Sequence, residues 1–287
     1  MASKLQCQSA TMPKCPNCGR ETEKIKELAC QWCGYPLITR DYHWGAIIYL
    51  LAITIAETVT VFFAPLWGII SHIILLVALI LHSALASEHR YQQLVLSLAL
   101  VPLVRIMSLS MPLSGIPQIW WYPIIYTPLL AAAIAVIRFT GYRAADVGLT
   151  VRLLPVQLVV ALTGVLFGVV EYFILGPEAI ATEFTWQEIW LPALLFLLCT
   201  GFVEEFIFRG VLQRTALGAF GGWGIVYVSL LFAILHMGFL SWIDVAFVFV
   251  VALFFGWVVK ETGSLLGVTL AHGITNIVLY LVLPFFL

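Results

Sequence analysis

The stretch F-V-E-E-F-I-F-R-G, residues 202–210, places three charged side chains inside a long apolar run. Glu205 and Arg209 are four residues apart with the acid first, so on a helix they share a face and can form an ion pair. Glu204 points about 100° away from Glu205, because an α-helix completes a turn in about 3.6 residues. Each charge near the centre of a bilayer costs about 2.5–3.5 kcal/mol on insertion scales. One ion pair does not need a second acid, so we expect Glu204 to face a polar cavity; the alternative is a structural pair that locks two helices.

The whole chain has the composition of a membrane protein. Of its 287 residues, 62% are hydrophobic and only 10% are charged, which is outside the range of soluble globular domains. The net charge of −1 provides no basic field, so we expect no nucleic-acid partner. Apolar runs of bilayer-spanning length predict an all-α, polytopic transmembrane bundle of eight or nine spans in the lipid bilayer. The candidate spans, of which the eighth is short, are residues 44–64, 68–86, 92–110, 119–137, 155–175, 188–214, 223–240, 243–259 and 264–286.

The polar segment before the first span, residues 1–40, contains two C-x-x-C-G pairs. Cys15 and Cys18 form the first pair, and Cys30 and Cys33 form the second. Four thiolates at this spacing can hold Zn²⁺ tetrahedrally, and the metal would supply most of the folding energy of so small a segment. Two disulfides or a redox pair are the alternatives. The pattern resembles the short zinc ribbons of many prokaryotic proteins, and reduced thiols favour a cytosolic location.

The loop charges indicate the orientation of the spans. If nine spans alternate from a cytosolic N-terminus, the inside loops hold the basic residues Arg90, Arg138, Arg143, Arg152, Arg214 and Lys260. The outside loops hold none, and one of them carries Glu178, Glu183 and Glu188. This is the positive-inside pattern. It predicts an integral protein of a prokaryotic plasma membrane, with a cytosolic N-terminus and a C-terminus outside.

Two later spans contain further polar groups. F-A-I-L-H, residues 232–236, ends in His236, and H-G-I-T-N, residues 272–276, places His272 and Asn276 four residues apart. A lone intramembrane histidine often serves only as a hydrogen-bonding group in helix packing. Together with Glu204, however, these residues supply a general base, two imidazoles and an amide donor from three helices. That combination suits amide hydrolysis.

The motifs E-E-x-x-x-R, F-x-x-x-H and H-x-x-x-N, in this order, resemble those of the CPBP intramembrane proteases. This family includes the Glu-type CAAX prenyl endopeptidases and bacterial relatives linked to bacteriocin processing or self-immunity. The resemblance covers residues 186–287, which we expect to be the protease core, and leaves residues 44–175 as a separate set of N-terminal transmembrane helices. It implies an endopeptidase that acts on a membrane-associated peptide or protein.

The resemblance also implies a role for each motif residue. Glu204 would activate the attacking water, and Glu205 would support it through Arg209. His236 would help to hold the water, while His272 and Asn276 would stabilise the oxyanion. Members of the family are often called metalloproteases, and a catalytic metal would take Glu204, His236 and His272 as ligands. The chain has no HExxH motif, so the sequence does not require a catalytic metal.

Distances along the helices place Glu204, His236 and His272 inside the membrane, and we expect their cavity to open to the cytosol near the inner leaflet. Three other intramembrane groups, Glu57, Arg105 and Glu171, precede the core; Arg105 could pair with either acid.

Two further functions remain open. A non-catalytic immunity or binding protein would keep the cavity without cutting. A proton-coupled transporter would be expected to contain repeated halves, and none is evident. The sequence does not reveal the oligomeric state.

Overall fold

The computed structural model describes residues 43–111 and 113–287. Within this range every regular element is a helix and none is a β-strand, which confirms the all-α fold class. The predicted zinc ribbon, with Cys15, Cys18, Cys30 and Cys33, lies outside the described residues and stays a prediction.

The described residues form nine apolar helices, which we number in chain order. They are α1 His43–Phe62, α2 Pro65–Leu85, α3 His89–Ser110, α4 Gln118–Thr140, α5 Leu154–Leu175, α6 Trp186–Phe220, α7 Trp223–Phe239, α8 Trp242–Thr262 and α9 Leu266–Phe285. A short 3₁₀ helix, Ala144–Val147, lies between α4 and α5. All except α7 are long and apolar enough to cross a membrane. The predicted eight or nine spans are therefore confirmed, and the protein is an integral membrane protein.

The helix ends follow from local sequence. Proline occupies the first position of α2, where its missing N–H costs nothing. Ser241 begins α8 by accepting a hydrogen bond from the backbone N–H of Asp244. The helix then continues through Lys260 to Gly263, whose φ of 66° ends it in the left-handed region. This cap makes the eighth span longer than the short segment 243–259 that the hydropathy predicted; the short helix is α7.

The three helices that carry the motif residues depart from regular α geometry near their centres or ends. Helix α6 is α-helical over Trp186–Leu195 and Gln213–Phe220, but its middle consists of two π segments, Phe196–Glu204 and Phe206–Leu212. Helix α7 tightens into a 3₁₀ turn at Leu235–Phe239. Helix α9 is α-helical to Ile277 and then π over Val278–Val282. Such irregular turns occur most often at functional sites.

Helix α9 packs between α5 and α6, and glycines make both contacts close. A Cβ on Gly164 of α5 would collide with the carbonyl oxygen of Ala271, and one on Gly168 would lie 2.7 Å from that of Thr275. A Cβ on Gly201 of α6 would lie 2.7 Å from the carbonyl oxygen of Thr269. Gly164 and Gly168 form a G-x-x-x-G pair, a spacing that allows close helix packing, and the contacts on both sides fix α9 against its neighbours.

Candidate active site

The two adjacent acids of α6 lie in different environments. Glu205 is fully buried, and its Oε1 accepts a hydrogen bond from Nη1 of Arg209 at 3.0 Å. The predicted ion pair is therefore present, with Arg209 itself only 1% exposed. Glu204 has 18% of its side chain exposed and lines an internal cavity. The expectation that the second acid faces a cavity is confirmed.

Glu205 also holds His272, which comes from the adjacent helix α9. The Nδ1 atom of His272 lies 2.8 Å from Oε1 of Glu205. A carboxylate only accepts hydrogen bonds, so Nδ1 carries a proton and Nε2 points the other way. Nε2 lies 3.8 Å from Oε2 of Glu204. Glu205 thus orients the imidazole toward Glu204, a contact that the sequence did not predict.

His236 and Asn276 complete the polar lining that the motifs predicted. Nδ1 of His236 donates to the carbonyl oxygen of Phe232 at 2.9 Å, which leaves Nε2 as an acceptor. Nδ2 of Asn276 donates to the hydroxyl of Thr200 at 2.8 Å. Both residues line the cavity that contains Glu204 and His272. Four of the six predicted residues therefore face one cavity, and Glu205 and Arg209 lie behind it.

Phe232, the first residue of the F-x-x-x-H motif, packs among the polar groups. The guanidinium of Arg209 lies 4.2 Å from the centre of its ring. The rings of His236 and His272 lie 4.8 Å and 6.1 Å from it. A cation over an aromatic face gains electrostatic energy when water is excluded. Phe232 therefore holds Arg209 and the two imidazoles in fixed relative positions.

Two site residues were missed by the sequence analysis. The hydroxyl of Tyr126 on α4 donates a short hydrogen bond to Oε1 of Glu204, and Thr200 orients the amide of Asn276. Tyr126 lies 78 residues before its partner, and α4 is outside the region with recognisable motifs. The only signal was the pairing of Tyr122 and Tyr126 at a four-residue spacing, which places both on one helix face.

The cavity has a volume of about 270 Å³ and is formed by α3 to α9. Besides the polar groups its walls are largely aromatic. They include Tyr122, Phe167, Phe196, Phe239, Phe247 and Tyr280. A peptide segment with apolar side chains would pack against these aromatic walls, and the few polar groups would fix its orientation.

With the geometry in place, the chain can be compared with known proteins. Residues 185–278 match the family model of the type II CAAX prenyl endopeptidases, Rce1-like. The match spans about a third of the chain and contains all three motifs. It supports the resemblance to the CPBP family and an intramembrane hydrolase. No curated protein and no solved structure gives a significant match to the chain.

The described side chains of residues 185–278 include no group of three placed to bind one metal ion. Among the described residues, no group of three or more His, Cys, Asp or Glu side chains is placed to hold a metal ion. Glu204 and His272 approach each other, whereas Nδ1 of His236 is engaged by a backbone carbonyl. Catalytic metal binding by Glu204, His236 and His272 stays a prediction, and no step below depends on it.

Arg105 pairs with an acid of the N-terminal helices. Its Nε donates to both carboxylate oxygens of Glu57 at 2.9 Å and 2.8 Å, and its Nη2 donates to the carbonyl oxygen of Leu235 at 3.2 Å. Leu235 precedes His236. Arg105 therefore ties α1 and α3 to the turn of α7 that presents His236, and Glu171 is left without this partner.

The cavity lies off-centre between the two ends of the bundle. We call the end with Arg90, Arg143, Arg152, Arg214 and Lys260 the basic side, and the end with loops 113–117, 176–185 and 240–241 the acidic side. The lining residues of α3, α4, α5 and α7 all belong to the half of the helix that adjoins the acidic side. If the basic side is cytosolic, as the loop charges predict, this placement favours an opening away from the cytosol; the predicted cytosolic opening is not tested by it.

Proposed function

We propose that this protein is an intramembrane endopeptidase that hydrolyses a peptide bond with a water activated by Glu204. One observation carries the proposal: a part-buried carboxylate and an imidazole, 3.8 Å apart, face a cavity inside a membrane bundle and are backed by a buried ion pair. A separation of 3.8 Å between two polar atoms suits a water that bonds to both. The Rce1-like match of the same residues supports this chemistry.

In the proposed reaction Glu204 removes a proton from the water, and the resulting hydroxide attacks the carbonyl carbon of the scissile bond. Nε2 of His236, an acceptor, holds the second proton of the water. The negative charge that develops on the carbonyl oxygen is stabilised by the free N–H of Asn276 and by protonated His272, which lies between two carboxylates. Glu204 then gives its proton to the leaving amine as the C–N bond breaks. Glu205 and Arg209 act as positioning residues through His272.

We further propose that the substrate reaches Glu204 from the acidic side. Ser108, Tyr122 and Phe239 line the cavity near that side. If the basic loops are cytosolic, as the positive-inside pattern predicts, this route starts outside the cytosol. The scissile bond would then lie beyond the inner leaflet, contrary to the expectation from sequence.

The experiment compares membranes of a host that expresses either the wild-type protein or Glu204→Gln at equal levels. New protein N-termini are identified by mass spectrometry. Termini that appear with the wild type and are absent with Glu204→Gln are the expected result, and they would identify the substrate. Identical sets of termini, together with a protective effect against a bacteriocin that survives the substitution, would instead establish the non-catalytic immunity function.

A further inference from the structure

Glu171 is a carboxylate of the cavity wall that the proposed reaction does not use. It lies on α5, is 8% exposed, and directs that exposed part into the cavity. Within the part of the chain that the structure describes, it has no hydrogen-bond or ion-pair partner. Burying a carboxylate that receives no hydrogen bond costs free energy. Glu171 is therefore expected to have a ligand or a function that offsets this cost.

Asp244 on α8 is a second buried carboxylate, but unlike Glu171 it is not part of the cavity lining. It is fully buried, and among the described residues neither of its carboxylate oxygens has a hydrogen-bond partner. Its backbone N–H is used by Ser241 at the helix start, but its side chain is not. Asp244 interacts electrostatically with Glu171.

Two phenylalanines show that the acids lie on facing helices. The rings of Phe167 on α5 and Phe247 on α8 are 6.2 Å apart, and both line the cavity. Glu171 follows Phe167 by four residues, and Asp244 precedes Phe247 by three, so each acid shares a helix face with its phenylalanine. The two helices run in opposite directions. Both acids therefore lie about one turn beyond the two rings, toward the acidic side.

We propose that Glu171 and Asp244, the carboxylate pair, attract a positively charged group of the substrate, either an ammonium or a guanidinium, with Glu171 making the contact and Asp244 adding its negative charge from behind the cavity wall. Such a group supplies the donors that Glu171 lacks. The rings of Phe167 and Phe247 would add attraction for a cation. This inference rests on the proposed function only in taking the ligand to be a peptide, and it deepens that function by naming a specificity subsite.

The position of the carboxylate pair fits a substrate that enters from the acidic side. Glu171 lies four residues before the end of α5 at Leu175, and Asp244 is the third residue of α8. The charged group would stay within about 6 Å of the helix ends. The adjoining apolar chain would then extend along the aromatic walls toward Glu204.

The test measures peptide binding to the full chain in lipid nanodiscs, with Glu204→Gln in every sample to prevent cleavage. The probes are nonapeptides of leucine and alanine in three forms. The first is acetylated and carries one lysine, placed in turn at each position. The second is acetylated with norleucine in place of lysine. The third is the norleucine peptide with a free amino terminus, which separates a terminal ammonium from a side-chain ammonium.

We expect at least one cationic peptide to bind about 10-fold or more tightly than the acetylated norleucine peptide. Glu171→Gln should abolish that preference, and Asp244→Asn should weaken it. Glu178→Gln, which removes an exposed acid on the same side, should retain it. Equal binding of all peptides, binding of none, or a preference that survives Glu171→Gln would overturn the inference.

Cleavage by the wild-type protein separates this inference from the proposed function. Charge-selective binding without cleavage of any probe leaves the carboxylate pair as a subsite and counts against the protease. Equal cleavage of the cationic and the norleucine peptides would support the proposed protease function and contradict the cation subsite.

Discussion

Glu204 and Glu205 are adjacent in the sequence, but they face different surroundings. Glu205 is enclosed by Arg209 and His272, and Glu204 lies at the cavity wall, where Tyr126 donates to it. The first acid is thus available to a substrate and the second is not. Their mutational effects should differ accordingly.

Glu205→Ala should reduce the stability of the protein far more than Glu204→Gln does. It leaves the charge of Arg209 buried without its partner, a change that typically costs about 3–5 kcal/mol. Thermal unfolding in detergent micelles measures the difference. Replacing both partners, as in Glu205→Leu with Arg209→Met, should recover much of the loss because no lone charge remains. Equal melting temperatures of the Glu205→Ala and Glu204→Gln proteins would contradict this account of the ion pair.

Tyr126→Phe should lower kcat by about 10- to 100-fold with little change in KM. A hydrogen bond to a charged group contributes about 1.5–3 kcal/mol, and Tyr126 acts by positioning Glu204 rather than by contacting the substrate. Steady-state kinetics on an identified substrate separate the two constants. Tyr122→Phe is the matched control, since that ring also lines the cavity but its hydroxyl does not bond to Glu204. Equal losses in both variants would argue against a specific role.

The charged and polar motif residues could be recognised from the sequence because a polar group in an apolar span is unusual in itself. Tyr126 and Thr200 could not, since tyrosine and threonine are common in transmembrane helices. Their roles depend on which helices become neighbours, which no local pattern specifies.

At the scale of helices, α9 determines where the site residues of the C-terminal region meet. It carries His272 and Asn276 and is fixed by the glycine contacts to α5 and α6. The G-x-x-x-G spacing of Gly164 and Gly168 is a weak sequence signal for the first of these contacts. The π segments of α6 were not predictable, because a change from four- to five-residue hydrogen bonding leaves the apolar pattern almost unchanged.

Gly201→Ala should destabilise the bundle and reduce activity. Its Cβ would lie 2.7 Å from the carbonyl oxygen of Thr269 and 3.1 Å from the backbone nitrogen of Gly273, so α9 must move away from α6. Overpacking of this kind costs about 1–3 kcal/mol. Gly218→Ala is the control, because a Cβ there meets nothing within 4 Å. If both variants melt at the wild-type temperature, the close contact is not essential.

At the scale of the whole molecule, the sequence predicted the membrane class and the number of spans, because both follow from composition and length. Depth counted along single helices did not show which halves of the helices line the cavity, and the side on which the cavity opens stays a prediction. The carboxylate pair and the aromatic walls adjoin the side whose loops contain no Lys or Arg.

The orientation of the bundle is tested by reporter fusions. Alkaline phosphatase, which is active only after export, should be active when fused after Glu183 or Leu240. A fluorescent protein that matures only in the cytosol should be bright when fused after Gly263. The basic loops cause this arrangement, because Lys and Arg are retained on the cytosolic side. The reverse pattern at these three positions would place the cavity opening in the cytosol.

The central claim, that Glu204 activates water for peptide hydrolysis, is tested most directly by cleavage in reconstituted vesicles. Purified wild-type protein and Glu204→Gln are compared on the substrate that the terminal-peptide experiment identifies, with folding checked by thermal unfolding. General-base catalysis contributes about 10²–10⁴-fold. We predict a fall of that size in kcat for the folded Glu204→Gln protein. Cleavage by Glu204→Gln at the wild-type rate would contradict the claim.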